Sequence, residues 1–130
     1  MAEYTILSVE EVPDASGGYP GEMHFFTGPL ETEQVAFTFR RMPPQTGGKG
    51  SYGHSHKTQE ELVFVISGNL QFKIGDEVIE VGPRHAVRLA PSAVRSIWND
   101  SEDDAEIIIV STRHENVRDD VELHEDFWPE

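Results

Sequence analysis

The chain has 130 residues, a length typical of a single domain. It carries 24 acidic against 10 basic residues, for a formal net charge of −14, and it has no cysteine. The composition excludes disulfide bonds and thiolate chemistry, and the negative charge argues against nucleic acid or anionic membranes as partners because it repels phosphate groups.

The first residues carry no sign of a secretory signal. They lack a basic segment followed by an apolar one, and no run approaches the roughly 18 apolar residues of a membrane span. We therefore expect a cytoplasmic protein without a membrane partner.

Short apolar runs separated by Gly, Pro, Asn and Asp predict an almost entirely β protein. Strands are predicted at residues 4–9, 23–26, 34–42, 51–56, 62–67, 70–74, 77–81, 85–90, 94–98 and 106–112. A helix is predicted only at 116–123. Many short strands with turns between them are typical of a barrel or sandwich.

The predicted strand 34–42 alternates between two kinds of side chain. Val35, Phe37 and Phe39 share one side, as expected of a half-buried antiparallel strand. Arg41 lies on the same side, which makes it a lesser candidate for lining a pocket.

Two predicted strands, 62–66 and 107–110, are apolar on both faces. A strand that is covered on only one side does not need this pattern. One face can line the barrel, and the other needs a second cover. We expect a homodimer formed by packing of sheets, since two-fold dimers are the commonest oligomers.

One histidine pair and one carboxylate have the spacing of a metal site. His54 and His56 are two residues apart on a predicted strand, so their side chains point to the same face. Glu61 opens the next strand after a turn, and an antiparallel return brings it beside them. Such a set suits Fe(II), Mn(II), Ni(II) or Zn(II) and leaves coordination positions open.

The same segment resembles the first motif of the cupin family, G(x)5HxH(x)3–4E(x)6G. Its fixed positions are occupied here by Gly48, His54, His56, Glu61 and Gly68. The resemblance implies an all-β double-stranded β-helix, a jelly-roll barrel, with extra N-terminal strands and a short C-terminal tail. By motif it covers residues 48–99, and by strand pattern 35–112.

We expect three parts along the chain. Residues 1–34 form N-terminal strands and a loop, 35–113 form the cupin barrel, and 114–130 form an acidic tail. Phe127 and Trp128 are expected to anchor this tail on the barrel or on a neighbouring subunit. His24, His114 and His124 are expected on the surface.

The family's second motif, G(x)5PxG(x)2H(x)3N, keeps only Asn99 in register. Family members with the full site use its histidine as a fourth metal ligand, and this chain has Arg95 there. An arginine remains protonated and cannot ligate a cation. Arg95 either binds a ligand's carboxylate beside a metal or pairs with Glu61 in a metal-free pocket.

The resemblance implies a protein that binds a divalent metal ion and a small, carboxylate-bearing ligand. An enzyme of this kind would be a metal-dependent dioxygenase, isomerase or decarboxylase. Arg95 would orient the substrate, and Glu60 or a metal-bound hydroxide would be the nearest base. The alternative is a metal-free protein that binds or senses a small molecule, with Arg95 paired to Glu61. A third interpretation is a structural component of a larger complex, bound through the tail.

Overall fold

The computed structural model describes residues 3–130, which form two antiparallel β sheets around one core. The described strands are β1 Glu22–Phe25, β2 Val35–Met42, β3 Thr46–Gly47, β4 Ser51–His56, β5 Glu61–Ser67, β6 Leu70–Ile74, β7 Glu77–Val81, β8 Ala86–Leu89, β9 Arg95–Asn99, β10 Ala105–Thr112 and β11 Val121–Trp128. The first sheet has the order β1-β2-β10-β5-β8. The second has the order β11-β4-β9-β6-β7, with β3 paired to β9.

The two sheets meet in a core of apolar side chains. Both contribute buried residues, among them Val63, Val65 and Ile107 from the first sheet and Leu70 and Phe72 from the second. Strand alternation places these side chains inward. The expectation of an all-β double-stranded β-helix is confirmed.

Most predicted strands are observed with bounds within two residues of the prediction, but the N-terminal one is wrong. Residues 4–9 form no strand; a short 3₁₀ helix, Val9–Glu11, begins at the end of this segment. Tyr4 and Ile6 are exposed, so their alternation buries nothing. Propensity alone does not form a strand where no neighbouring strand offers hydrogen bonds.

The orientation of β2 differs from the expectation. Arg40 lines the central cavity, whereas Arg41 forms ion pairs with Glu22 and Asp104. Phe37 and Phe39 therefore share the outer side of the strand with Arg41. The alternation is real, but its polar side faces the interior because that interior is a cavity.

The outer side of the first sheet forms an apolar surface. Ladder partners in antiparallel strands share a face, and their register joins β2, β10 and β5 there. We call this surface the outer apolar face; its members are Val35, Phe37, Phe39, Leu62, Phe64, Ile66, Ile108 and Val110. Leu62 and Phe64 are 46% and 41% exposed, so one chain leaves this face without cover.

Much of the predicted acidic tail is a strand that pairs with the barrel. A short helix, α1 Val117–Asp120, precedes β11, which pairs along β4. Trp128 is buried, and the ring of Phe127 lies against Gly53, where a Cβ atom would collide with it. The helix predicted over 116–123 is therefore only partly right, and the strand was not predicted because alternation between residues 121 and 128 is weak.

Within residues 3–130, no helix combines the length and the apolar character needed to cross a membrane.

Candidate metal centre

The structure brings His54, His56 and Glu61 together beside the cavity, which His54 and Glu61 line. β4 carries both histidines, and β5 begins with Glu61. Glu61 Oε1 lies 3.8 Å from His54 Nε2, and Oε2 lies 3.5 Å from His56 Nε2. One ligand atom of each residue lies within 4.8 Å of the others. This is the convergence that the motif predicts.

Asp120 fixes the tautomer of His56. His56 Nδ1 donates a hydrogen bond to Asp120 Oδ2 over 3.0 Å, so Nε2 carries the lone pair. Burial lowers the pKa of His56, which favours the neutral form that binds metals. A carboxylate behind a histidine is the usual way in which proteins orient a metal ligand.

A dense set of donors holds Asp120 itself. Its carboxylate accepts hydrogen bonds from the backbone N–H groups of Thr58 and Gln59 and from the Thr58 hydroxyl. Burial alone would raise the pKa of Asp120, but these bonds outweigh it and lower the pKa to about 2. Asp120 is therefore a fixed anion at neutral pH.

Sequence reasoning missed Asp120 because it counted the residue within a solvated acidic run. Asp120 lies 64 positions after His56 and reaches it through α1, just before β11 pairs with β4. The one available signal was the pair of aromatic residues that anchors this segment.

Arg95 is fully buried and pairs with Glu61. Its Nη2 donates to Glu61 Oε1 over 2.7 Å, and its Nη1 donates to the backbone carbonyls of Ala90, Pro91 and Ala93. Burial would raise the pKa of Glu61, yet the two neighbouring imidazoles and the hydrogen bond from Arg95 lower it to about 2. Glu61 thus stays ionised, and Arg95 occupies one of its oxygens.

The residues fit a divalent metal ion. The buried Nε2 of His56 has no hydrogen-bond partner among the described residues, although an unsatisfied buried nitrogen is costly. Arg95 takes Oε1 of Glu61, whereas Oε2 faces His56. Two imidazoles and one carboxylate form a set that binds Zn(II), Fe(II), Mn(II) or Ni(II).

A cavity of about 600 Å³ opens beside these residues. His54, Glu61 and Arg95 line it together with Arg40 and Trp98. The volume is in the range of small-molecule sites in proteins. A small molecule in the cavity can therefore reach His54 and Glu61, whereas His56 is buried behind them.

Glu60 does not join this site. Its side chain is exposed, and Oε2 accepts a hydrogen bond from Arg88 Nε over 2.6 Å. Consecutive residues at the start of a strand point to opposite faces, so Glu61 faces the cavity and Glu60 faces away. This position does not suit the general base that we expected of Glu60.

Two histidines expected on the surface have structural contacts instead. His24 is buried and contacts the Val12 carbonyl and Glu22. His124 Nε2 lies 2.9 Å from Ser55 Oγ and helps to join β11 to β4. The contacts of His24 with Val12 and of His124 with Ser55 were not predicted, because these partners lie 12 and 69 residues away in the sequence.

Two motif residues outside the ligand set, Gly68 and Asn99, are structural. Gly68 follows β5 with φ of 88°, and a Cβ atom there would collide with Ala105. Asn99 is buried, and its side chain donates to the carbonyls of Met42 and Asp103. These two positions shape the barrel rather than the chemistry.

A model of the cupin domain family matches residues 39–111, more than half of the chain. The protein is a member of this family. No curated protein is similar enough in sequence to match the chain. The family resemblance of the first motif is confirmed.

This cupin shares its fold with solved bacterial structures. A cupin protein from Bacteroides fragilis has 22% identity and a TM-score of 0.69, over 89% of each chain. A polyketide cyclase from Streptomyces resistomycificus has 14% identity and a TM-score of 0.74, over 95% of this chain and 85% of that one. A Thermotoga maritima protein described as a predicted oxalate decarboxylase has 17% identity and a TM-score of 0.68, over 85% and 100%. Identities this low show the fold alone.

Proposed function

We propose that this cupin binds one divalent metal ion through His54, His56 and Glu61 and holds a small organic anion in the adjacent cavity. The observation that carries the proposal is the buried Nε2 of His56, which has no hydrogen-bond partner among the described residues and faces Glu61. Asp120 fixes this nitrogen as the unprotonated one. A lone pair held in this way is suited to a metal ligand.

A bound divalent ion supplies a Lewis acid that polarises an oxygen of a ligand. The protein residues do the rest: they orient the ligand and exclude water from its apolar part. Cupins of this fold include proteins named as a cyclase and a decarboxylase. Since one fold hosts many reactions, we propose the metal and ligand sites without one reaction class.

A second candidate function is binding of a small molecule without a metal. The 2.7 Å ion pair between Arg95 and Glu61 favours it, because a fixed positive charge beside Glu61 opposes the approach of a cation. The proposed metal site requires that Glu61 bind the ion through Oε2 while Oε1 stays with Arg95.

Calorimetric titration separates the two functions. Fe(II) under anaerobic conditions, Mn(II), Ni(II) and Zn(II) are titrated into the metal-free protein, into His56→Ala and into His85→Ala. His85 is exposed and outside the site, so His85→Ala is a matched control that also removes one imidazole. We expect one ion per chain for the native protein and His85→Ala, and loss of that site in His56→Ala. Absence of binding by the native protein would favour the metal-free function.

A further inference from the structure

Arg40 is a cation that faces the cavity without an anionic partner. It lies on the inner side of β2 and lines the cavity. Among residues 3–130 its side chain has neither a hydrogen-bond nor an ion-pair partner, although the chain has 24 acidic residues for 10 basic ones. A partly buried guanidinium without a counter-charge is unfavourable.

The neighbours of Arg40 explain why it has no partner. Its ladder partners on β1 and β10 are Met23 and Ile107. The next residue, Arg41, faces outward with Glu22 and Glu106 as its ladder partners. Two adjacent arginines thus have opposite surroundings, one apolar and one acidic.

The carboxylates that line the cavity are already engaged. Glu61 pairs with Arg95. Glu22 accepts a hydrogen bond from Arg41 and lies 3.0 Å from His24 Nε2. The Arg95 guanidinium, in turn, is bound to Glu61 and three carbonyls. The cavity therefore retains one positive charge that no residue of the described chain neutralises.

We propose that Arg40 binds the carboxylate of a small organic acid whose apolar or aromatic body fills the cavity. This deepens the proposed function, since it assigns the ligand-binding group of the same cavity to Arg40 in place of Arg95. A planar guanidinium binds a carboxylate through two parallel hydrogen bonds. One unpaired cation balances a monocarboxylate rather than a doubly charged phosphate.

Aromatic residues provide the surface for the body of the ligand. Tyr19, Phe25, Tyr52 and Trp98 line the same cavity. Apolar and aromatic walls with a few polar groups are typical of small-molecule sites. Benzoate is therefore a suitable probe, with benzamide as its neutral analogue.

The test measures benzoate affinity by NMR titration of metal-free protein, for the native chain, Arg40→Gln, Arg40→Lys and Arg113→Gln. Arg113 is exposed, so Arg113→Gln removes the same charge outside the cavity. We expect Kd for benzoate to rise at least tenfold in Arg40→Gln, to rise less in Arg40→Lys, and to stay unchanged in Arg113→Gln. Benzamide should bind all four proteins weakly and equally.

Several outcomes would overturn the assignment. These are equal benzoate affinity of native protein and Arg40→Gln, no binding of benzoate by native protein at millimolar concentration, or tighter binding of inorganic phosphate than of benzoate. Metal titration of the same variants tests the proposed metal site separately from the proposed role of Arg40. Benzoate binding that depends on Arg40 in a protein without metal affinity would support this inference and contradict the metal site.

Discussion

His56 Nδ1 and Asp120 Oδ2 lie 3.0 Å apart, in a hydrogen bond that joins β4 to the residue before β11. The bond connects the cupin motif to a segment outside the family match, which ends at residue 111. The C-terminal segment therefore contributes directly to the candidate metal centre. It does so by binding the Nδ1 proton of His56, which leaves Nε2 unprotonated.

Replacing Asp120 tests this contribution. Asp120→Asn presents an amide whose N–H₂ group no longer specifies the His56 tautomer, so we expect metal affinity to fall by about 10–100-fold. Asp119→Asn is the matched control, because Asp119 is exposed and adjacent. Calorimetry with Zn(II) provides the measurement. Equal affinities for the two variants would show that Asp120 has no part in orienting the ligand.

The buried carboxylate of Glu61 predicts acid sensitivity. Its pKa falls from 4.5 to about 2 on folding, so the unfolded chain takes up the proton at higher pH. The free energy of unfolding therefore decreases as pH falls from about 4.5 to about 2, by roughly 3 kcal/mol from this group.

Urea denaturation of metal-free protein across this pH range measures the effect. Glu61→Gln should show a shallower decrease than the native protein, and Glu60→Gln, which loses an exposed carboxylate, should match the native slope. If the free energy of unfolding decreased equally with falling pH in all three proteins, the lowered pKa of Glu61 would be contradicted.

Because Trp128 is buried, we expect Trp128→Ala to lower the free energy of unfolding substantially. This side chain is 5% exposed where β11 pairs with β4. Removing a buried Trp side chain costs about 3–5 kcal/mol. Leu123 lies on the same strand but is 65% exposed, and Leu123→Ala should change stability by less than about 0.5 kcal/mol. Circular dichroism during denaturation compares the variants, and equal stabilities would rule out anchoring by Trp128.

We propose that two copies of the chain pack through the outer apolar face. Exposed Leu62, Phe64 and Ile66 form one row of it, and a contiguous apolar patch on a monomer is unusual. Light scattering should give about twice the chain mass of 14.6 kDa. Phe64→Glu should give the monomer mass, whereas Val78→Glu, at an equally exposed site on the second sheet, should remain a dimer. A monomeric native protein would contradict this proposal.

Site residues that are close together in the sequence were predicted, whereas those that are far apart were not. His54, His56 and Glu61 lie within eight residues, so strand alternation and one turn were sufficient to bring them together. Asp120 and Arg40 required knowledge of which strands pair and which side of a strand faces inward. For β2 the hydrophobic pattern indicated the wrong side, because the barrel interior is partly polar and its outer surface is apolar.

The role of Arg95 could not be decided from the sequence, because it depends on contacts in three dimensions. From sequence, a contact with a ligand carboxylate and a pair with Glu61 were both open. The structure shows Arg95 at 1% exposure with Glu61 and three backbone carbonyls as acceptors. Those carbonyls belong to the loop before β9, and no pattern in the sequence marks them as acceptors.

Anomalous diffraction from crystals of the Zn(II)-loaded protein tests the central claim most directly, because it locates the ion. We predict one ion about 2.0–2.2 Å from His54 Nε2, His56 Nε2 and an oxygen of Glu61, with the Asp120 hydrogen bond to His56 retained. An ion bound elsewhere, or an empty site with Arg95 as the only partner of Glu61 at saturating Zn(II), would contradict the account.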